Sequence, residues 1–333
     1  MNHNLQHTLV IRPGALGDSV MTLPALHALR LAGAENLLIL GTLASWGFVR
    51  QAHNGLRIRD FSSSEWLGLF SDGAPLSVCA RTALSRTHAA VIYLSGDSAP
   101  AVRALKAHGV QHVLTITPPL AVYADTPAPH ASRQLSDGLQ AWLPRERIEE
   151  AHAIVDGAAD PFIKLSEDEK HRALYGLGCD AVPAPGFVAI HPGSGGRSKC
   201  WPASRFAKLA VELACRDGVV PLVFFGPADT AAHEEFEAAM PPGVDWQCVE
   251  QRPLRDVLAL LSLARGYVGN DSGVTHLAAR VCPTLAIFGP SNAHAWSPLG
   301  SRVRVLRAPD GKLERLSVDA VQDAWTEVAA LNA

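Results

Sequence analysis

The spacing of apolar residues along the chain follows two patterns in turn. Short apolar runs of strand length are followed by turns of small and polar residues, and then by stretches whose apolar positions recur every three or four residues. This alternation of strand and helix predicts parallel sheets covered by helices. The expected strands are residues 8–11, 37–40, 89–94, 110–116, 187–191, 219–225, 246–249, 266–269, 283–288 and 303–306.

Helices are expected between these strands. Residues 20–31 form one helical face, with Pro24 early in the helix, and Pro202 fits the first turn of another, because proline lacks an amide that this position leaves unused. The remaining helices are predicted at residues 99–107, 132–143, 166–175, 202–215, 230–240, 254–264 and 318–331.

The α/β pattern occurs in two successive series, which predicts two doubly wound domains facing a central cleft. We expect an N-terminal domain at residues 1–160, an inter-domain connection at 161–185 and a C-terminal domain at 186–333, because the connection is interrupted by prolines such as Pro183 and Pro185. Whether the last helix packs back on the N-terminal domain is left open.

Composition narrows the class of protein. Hydrophobic residues make up 48% and charged residues 18%, as in soluble globular proteins, and the net charge of −3 argues against nucleic-acid binding by bulk charge. Six cysteines without a Cys-x-x-Cys pair argue against a zinc site and fit a reducing cytosol. Residues 1–7 lack the apolar core of a signal peptide, and no run of 18 apolar residues occurs. A cytoplasmic protein without a transmembrane segment is expected.

Residues 269–290 read as strand, polar turn, helix and strand. Asp271 and Ser272 are both residues that cap helix starts, and Gly273 follows them. The free amides of such a turn suit a phosphate group. Asp271 and His276 lie where they could meet the rest of a ligand. The alternative is a plain capped helix, with Asp271 as the cap and His276 as a buried structural residue.

A second turn, residues 191–202, combines glycines with Ser194 and Lys199. Its glycines allow backbone amides to approach an anion, and the lysine supplies a positive charge. It does not match the P-loop pattern. The alternative is a flexible loop with a solvated Lys199, and Trp201 is expected to pack beneath the turn.

The first turn, residues 12–18, contains Gly14 and Gly17 but no third glycine in register, so a dinucleotide fingerprint is not supported. Asp18 closes this turn. It is either a general base or a helix cap. A helix start lowers the pKa of a carboxylate, which opposes the role of base, whereas burial in a cleft raises the pKa and favours that role.

These motifs together resemble the lipopolysaccharide heptosyltransferases, that is, glycosyltransferase family 9. They occur in the order of that family and cover most of the chain. The matching segments are Arg12-Pro13-Gly14-Ala15-Leu16-Gly17-Asp18, Thr22-Leu23-Pro24-Ala25-Leu26, His191-Pro192-Gly193-Ser194, Lys199-Cys200-Trp201-Pro202, Phe225-Gly226-Pro227, Asn270-Asp271-Ser272-Gly273-Val274-Thr275-His276-Leu277-Ala278-Ala279 and Phe288-Gly289-Pro290.

The resemblance implies a GT-B fold of two Rossmann-like domains, with the acceptor on the N-terminal side and the nucleotide-sugar donor held by the C-terminal domain. It implies inverting transfer of a heptose-type sugar from an ADP-linked donor to a lipopolysaccharide core or related glycan acceptor, without a metal ion or cofactor. Asp18 is implied as the base, and Lys199 as a second catalytic residue. The implied donor-binding residues are Ser194, Gly195, Lys199, Asp271, Ser272, Gly273 and His276.

Two features depart from the family pattern. The family often has an acid directly after the glycine of its third motif, whereas Asp229 comes three residues after Gly226. Residues 61–80 carry Glu65 and Asp72 but no Lys or Arg, although a phosphorylated lipid acceptor favours basic residues. The acceptor therefore need not be the common inner-core one.

Two other functions stay open. One is a different nucleotide-sugar enzyme, with another donor or an epimerase activity, and the other is a non-catalytic nucleotide-sugar binding protein. A nicotinamide dehydrogenase is disfavoured because the dinucleotide fingerprint is missing. The expected partners are a nucleotide-sugar donor and a glycan or lipid-linked acceptor, with peripheral association at the cytoplasmic face of the inner membrane and no nucleic acid.

Overall fold

A computed structural model of the protein describes residues 3–49, 55–71, 74–119, 127–155 and 160–332. The described residues form two compact units. One holds residues 3–119, with the gaps just given, 129–155 and 160–163; the other holds residues 127–128 and 164–332. Asp72, one of the two acidic residues in the stretch at residues 61–80, lies outside the described residues.

The first unit contains a five-stranded parallel sheet with the strand order β3-β2-β1-β4-β5. β1 and β4 are buried on both faces, so their apolar residues run without alternation. The edge strand β3 alternates instead, with Arg57 and Arg59 exposed, and the apolar-run criterion missed it. The strands are β1 (His7–Ile11), β2 (Asn36–Gly41), β3 (Leu56–Asp60), β4 (Ala89–Tyr93) and β5 (His112–Ile116).

The helical face predicted as one helix at residues 20–31 is two helices, which meet at Thr22. Pro24 cannot donate an intrahelical hydrogen bond, and it occupies the first turn of the second helix, so the break is compatible with its chemistry. The helices of this unit are α1 (Leu16–Met21), α2 (Leu23–Leu31), α3 (Leu43–Trp46), α4 (Val78–Leu84), α5 (Ala99–Ala107), α6 (Ala131–Asp137) and α7 (Arg145–Val155).

The second unit contains a six-stranded parallel sheet with the order β11-β10-β9-β6-β7-β8. The strand order reverses between β6 and β9, as in a doubly wound nucleotide-binding sheet. The strands are β6 (Phe187–His191), β7 (Val220–Phe225), β8 (Gln247–Glu250), β9 (Ala264–Asn270), β10 (Thr284–Phe288) and β11 (Val303–Arg307). The prediction of two Rossmann-like α/β units is confirmed.

Helices cover both faces of the second sheet. Trp201, Phe206, Phe236 and Trp325 fill its core, and the last helix packs on β9, β10 and β11 of its own unit. Among the described residues, no helix is long and apolar enough to cross a membrane. The helices are α8 (Glu167–Tyr175), α9 (Ala203–Asp217), α10 (Thr230–Ala239), α11 (Leu254–Leu263), α12 (Gly273–Ala278), α13 (Ala293–Trp296) and α14 (Val318–Ala329).

Residues 164–185, within the predicted inter-domain connection, belong to the second unit. Helix α8 begins in this stretch with a reciprocal cap: Ser166 accepts from the Glu169 amide, and Glu169 accepts from the Ser166 amide. Arg255 of α11 donates to the same Glu169 carboxylate, at 2.6 Å, and α8 packs on α11. The helix predicted at residues 166–175 is confirmed.

Candidate functional site

Three turns of the second unit meet at the carboxyl ends of its central strands. They follow β6, β7 and β9, and β6 and β9 are the neighbours between which the strand order reverses. Ligands of doubly wound sheets bind at this position, because the two crossover connections leave in opposite directions and open a crevice. The turns are joined by hydrogen bonds between buried side chains, which together give the site its shape.

The turn after β6 is tied to the turn after β9 through Asp271. Lys199 donates to the Asp271 carboxylate at 2.8 Å, and the Ser194 hydroxyl donates to the Asp271 carbonyl at 2.7 Å. Asp271 is buried, whereas 35% of the Lys199 side chain is exposed. Lys199 is therefore an accessible cation held over the turn, and the alternative of a freely solvated lysine is wrong.

Asn270, the last residue of β9, connects the same two turns from below. Its side-chain nitrogen Nδ2 donates to the Pro192 carbonyl at 2.7 Å, and its side-chain oxygen Oδ1 accepts from the Trp201 amide at 2.9 Å. Both contacts are buried. Trp201 is itself fully buried and donates to the Leu316 carbonyl, so the prediction that it packs beneath the turn is confirmed.

Asp229, whose spacing from Gly226 departs from the family pattern, lies beneath the same turn. Its carboxylate accepts from the Gly226 amide at 2.7 Å and from His191 Nε2 at 3.0 Å. Burial disfavours the charged form, but hydrogen bonds from His191, Gly226 and the Ser194 amide outweigh it and hold the pKa of Asp229 below its usual value. The Asp229 carboxylate is thus occupied by hydrogen bonds from within the protein.

The cap of α12 is Ser272, whose hydroxyl accepts from the Thr275 amide, and not Asp271. The reading of Asp271 as a plain helix cap is therefore wrong. Gly273 is the first residue of α12, and His276 lies in the same helix with a buried side chain. The hydroxyls of Ser272 and Ser194 both form hydrogen bonds within the protein.

The donors that stay accessible are therefore fewer than the sequence indicated. Ser194 directs its amide to Asp229 and its hydroxyl to Asp271. Within the described part of the chain, the amides of Gly195 and Gly196 donate no backbone hydrogen bond, and an added Cβ at either glycine would meet nothing within 4 Å. Gly195 is exposed and Gly196 is half-buried, so both lie at the surface of the turn together with the partly exposed side chain of Lys199.

A cavity of about 530 Å³ adjoins the turns after β6 and β7. That volume lies within the range of small-molecule sites. Its wall is mainly apolar and aromatic, and Arg252 at its rim donates to the Gly176 carbonyl. The lining residues are His191, Phe224, Phe225, Gly226, Pro227, Val249, Gln251, Arg252, Leu254, Val257 and Val274.

Asp18 lies in the first unit, in the first turn of α1 after the end of β1. One carboxylate oxygen accepts from the Ala15 amide at 3.0 Å, and the other accepts from Arg12 at 2.9 Å. Arg12 is buried and also donates to the Thr22 hydroxyl. Burial lowers the pKa of Arg12, although Asp18 opposes that shift. Asp18 is one-third exposed, so it combines a cap-like contact with an accessible carboxylate.

A second cavity, of about 400 Å³, lies in the first unit and contains Arg57, Arg59 and Arg86 in its wall. These arginines flank residues 61–80, which have none. However, the wall also includes His7 and Asn36, which begin β1 and β2, whereas Asp18 follows the end of β1. The three arginines of this cavity thus lie near a different part of the sheet from Asp18.

No group of three or more His, Cys, Asp or Glu side chains is arranged to hold a metal ion in the part of the chain that the structure describes. All six cysteines are free. The sequence singled out Ser194, Lys199 and Asp271, which the structure brings together. His191 and Asn270 were not singled out from the sequence, because their position as a polar residue at the end of an apolar strand was the only signal for them.

Comparison with known proteins points to one family. The model of glycosyltransferase family 9 (heptosyltransferase) matches residues 149–325, more than half of the chain. Lipooligosaccharide heptosyltransferase 2 of Haemophilus influenzae is 32% identical over 154 residues, which are 45% of this chain and 42% of that protein. Lipopolysaccharide heptosyltransferase 2 of Escherichia coli is 32% identical over 158 residues, 45% of this chain and 44% of that protein. The chain thus spans less than half the length of these relatives.

Solved structures share the fold over nearly the whole chain. The E. coli ADP-heptose lps heptosyltransferase II matches 98% of this chain and 99% of its own, with a TM-score of 0.74 and 19% identity. The E. coli heptosyltransferase WaaC with ADP matches 97% of this chain and 99% of its own, with a TM-score of 0.64 and 17% identity. The predicted GT-B fold class is confirmed.

The close approach of Asp229 to Gly193 predicts which glycine of the turn is irreplaceable. A Cβ at Gly193 would lie 2.0 Å from an Asp229 carboxylate oxygen, whereas one at Gly195 meets nothing within 4 Å. Gly193→Ala should therefore lower the free energy of unfolding by roughly 1–3 kcal/mol, the usual cost of overpacking. Gly195→Ala is the matched control and should leave stability within about 1 kcal/mol. Urea unfolding measures both, and equal stability of the two variants would contradict the contact.

Proposed function

This chain belongs to glycosyltransferase family 9 (heptosyltransferase), and we propose that it transfers a heptose-type sugar from an ADP-linked donor to a lipopolysaccharide core or related glycan acceptor. The observation that carries the proposal is the arrangement of Lys199 and the free amides of Gly195 and Gly196 beside a cavity at the reversal point of the second sheet. A cation next to unpaired amides is chemistry suited to a diphosphate.

Lys199 and these two amides are proposed to bind the diphosphate of the donor. As the bond to the sugar breaks, negative charge develops on the departing diphosphate, and fixed donors stabilise that charge without reorganising. A lysine and backbone dipoles then do what a metal ion does in other transferases, so we propose a reaction without metal or cofactor. Asp271 orients Lys199, and Ser194 supports the turn by its contact with Asp271.

The cavity beside the turn is proposed to take the nucleoside part of the donor. Phe225, Val249, Leu254 and Val257 give it an apolar wall, and a flat heteroaromatic base loses little hydration when it enters such a wall. The two solved structures are an ADP-heptose lps heptosyltransferase and a heptosyltransferase with ADP, which supports adenine as the base. The cavity and the diphosphate turn share His191, so base and phosphates have adjoining places.

Asp18 is proposed as the general base for the acceptor hydroxyl. Inverting displacement needs a base on the side of the sugar opposite the leaving group, and the carboxylate must be ionised before it takes the proton. The Arg12 contact fixes one carboxylate oxygen and leaves part of the group exposed. We further propose that the reaction occurs in the cytoplasm, at the inner-membrane face where lipid-linked acceptors are available.

A transfer assay on the wild-type chain tests the proposal. The chain is incubated with an ADP-linked heptose and a heptose-deficient lipopolysaccharide core, and the product is examined by mass spectrometry together with ADP release. The proposal predicts a product heavier by one heptose residue and one ADP for each sugar transferred. ADP release without a heavier product indicates hydrolysis only, and ligand-linked stabilisation by UDP but not ADP would contradict the donor.

Lys199→Met should weaken ADP binding. The substitution keeps the length of the side chain but removes its charge, and a hydrogen bond to a charged group contributes roughly 1.5–3 kcal/mol. The dissociation constant, measured by calorimetry, should therefore rise about 10- to 150-fold. Lys208→Met, at an exposed position of α9, is the control and should bind as the wild type does. Unchanged binding in Lys199→Met would remove Lys199 from the donor site.

Asp18→Asn should separate the base from the cap. Asn keeps the size of the side chain and accepts from the Ala15 amide, but it cannot take a proton at working pH. Turnover should fall by roughly 10²–10⁴, mainly in kcat, while ADP binding persists. Some stability should be lost because buried Arg12 loses its partner. Asp97→Asn, another carboxylate that accepts from a helix-start amide, is the control. Wild-type turnover in folded Asp18→Asn would leave Asp18 only a structural role.

A further inference from the structure

The cavity of the first unit lies between the edge of its sheet and helix α4. Its volume of about 400 Å³ is within the range of small-molecule sites. The edge strand β3 contributes Arg57 and Arg59 to its wall, and α4 contributes Cys79, Thr82 and Ala83. These three residues of α4 recur at helical spacing, so they share one face of the helix. The cavity is therefore bounded by regular elements on both sides.

Arg57 and Arg59 project from the same face of β3, because side chains two residues apart on a strand share a face. Their register partners on β2 are Leu38 and Leu40. Leu38 is half-buried and lines the cavity, whereas Leu40 is buried in the core of the unit. The two arginines thus lie at the border between an apolar core and solvent.

A third cation of the cavity comes from a different element. Arg86 follows the end of α4 by two residues, and its amide continues the helical turn by donating to the Ala83 carbonyl at 3.3 Å. Arg86 lines the same cavity. Charged residues on an edge strand prevent unwanted pairing with another strand, but this role does not explain Arg86. Three arginines from two elements at one cavity indicate an anionic ligand.

The protein itself does not neutralise these arginines. Within the described residues, none of the three forms an ion pair with a carboxylate, and Arg59 donates to the Ile58 carbonyl. All three arginines are exposed. Among the described residues of the wall, Glu65 is the single carboxylate, so three arginines and one glutamate leave two positive charges in excess.

Apolar side chains are exposed in and near the same cavity. Val78, the first residue of α4, lines the cavity and is 70% exposed, and Leu67 in the short 3₁₀-helix Ser64–Leu69 is 56% exposed. The two segments meet where the Ser77 amide donates to the Glu65 carbonyl at 3.4 Å. Single exposed apolar residues are ordinary. In combination with basic residues, however, they form the kind of surface that binds the boundary between lipid headgroups and acyl chains.

We propose that this cavity binds the phosphate headgroup of an anionic membrane lipid and thereby docks the first unit on a membrane surface. Arginine binds phosphate oxygens through paired N–H groups, while Val78 and Leu67 contact the region where the acyl chains begin. The choice of a lipid over a free anion rests on the proposed function, because a lipid-linked acceptor brings the enzyme to a membrane.

The lipid and the acceptor hydroxyl have separate places in this proposal. Asp18, the proposed base, follows the end of β1, whereas His7 and Asn36 of the cavity wall begin β1 and β2. The basic residues that the stretch at 61–80 lacks are supplied to its Glu65 and Val78 side of the cavity by β3 and by the turn after α4.

Sedimentation of the full chain with lipid vesicles tests the proposal. One set of vesicles consists of phosphatidylcholine alone, and the other is an equal mixture of phosphatidylcholine and phosphatidylglycerol. The chain should bind the mixed vesicles and bind pure phosphatidylcholine much more weakly. Equal binding to both sets, or binding to neither, would overturn the proposal.

Replacing Arg57, Arg59 and Arg86 together by Gln should weaken binding to the mixed vesicles. One basic residue near an anionic surface contributes about fivefold to partitioning, so the partition coefficient should fall by roughly 20- to 150-fold. Should the triple variant fail to fold, Arg86→Gln alone should lower the coefficient about fivefold. Wild-type binding by the folded triple variant would contradict the assignment of the arginines.

A matched control removes the same charge from other exposed positions of the first unit. It replaces Lys106 of α5 and Arg145 and Arg147 of α7 by Gln. Because these residues are not among those that line the cavity, the control should bind the mixed vesicles nearly as the wild type does. Equal losses in the two triple variants would mean that net charge alone determines binding, which overturns the proposed site.

Competition distinguishes a lipid from other sources of phosphate. Inorganic phosphate, added to the mixed vesicles at constant ionic strength, should not release the chain. Release at millimolar phosphate would mean that the cavity is a site for a free anion. Release by a short single-stranded RNA at the same phosphate concentration would assign the arginines to a nucleic acid. Either kind of release would overturn membrane docking.

Vesicle binding and sugar transfer can fail independently. A chain that binds the mixed vesicles through the three arginines but transfers no heptose leaves the docking site standing and removes the proposed function. A chain that transfers heptose but does not bind the vesicles overturns the docking site alone.

Discussion

The structure of the second unit depends on the pairing of buried polar groups at the carboxyl ends of β6, β7 and β9. Three turns meet there, and each contributes a group that would be costly to leave without a partner. Asn270 joins two of the turns through amide contacts, and Asp229 and His191 join all three. Because each contact is buried, a shift of one turn would break hydrogen bonds in the others.

This pairing decides which groups remain for a ligand. Ser194 and Ser272, which resemble ligand-binding hydroxyls in the sequence, are engaged in holding the turns together. The groups that remain in this turn include the amides of Gly195 and Gly196, which donate no backbone hydrogen bond among the residues that the structure describes, and the partly exposed side chain of Lys199. The site is thus a rigid turn that presents a few donors, and preorganised donors of this kind act on developing charge without first rearranging.

Much of the fold was predictable from the sequence, because long apolar runs and helical periodicity reflect burial directly. β6 and α5 were predicted to the residue. β3 was missed because an edge strand exposes one face and its alternating arginines resemble a loop, and α7 was missed because its polar residues show little apolar face. The break at Thr22 was missed because Pro24 was placed early in a single helix, whereas it occupies the first turn of the second helix.

The site was predictable in its residue types but not in its contacts. Lys199 and Asp271 were recognised separately, and their ion pair joins residues 72 positions apart. His191 and Asp229 had no local signal of a partnership, since neither is unusual at the end of a strand or the start of a helix. A buried pair of this kind becomes visible only when the strand order brings β6 and β7 side by side.

Binding of ADP, AMP and adenosine to the wild-type chain, measured by calorimetry under one set of conditions, tests the central claim most directly. If the turn after β6 binds a diphosphate through Lys199 and two amides, affinity should depend on the β-phosphate. ADP should then bind at least about tenfold more tightly than AMP, since charge-assisted contacts contribute roughly 1.5–3 kcal/mol each, and adenosine should bind most weakly. Equal affinities for the three ligands would contradict the account, because the cavity alone would then determine binding.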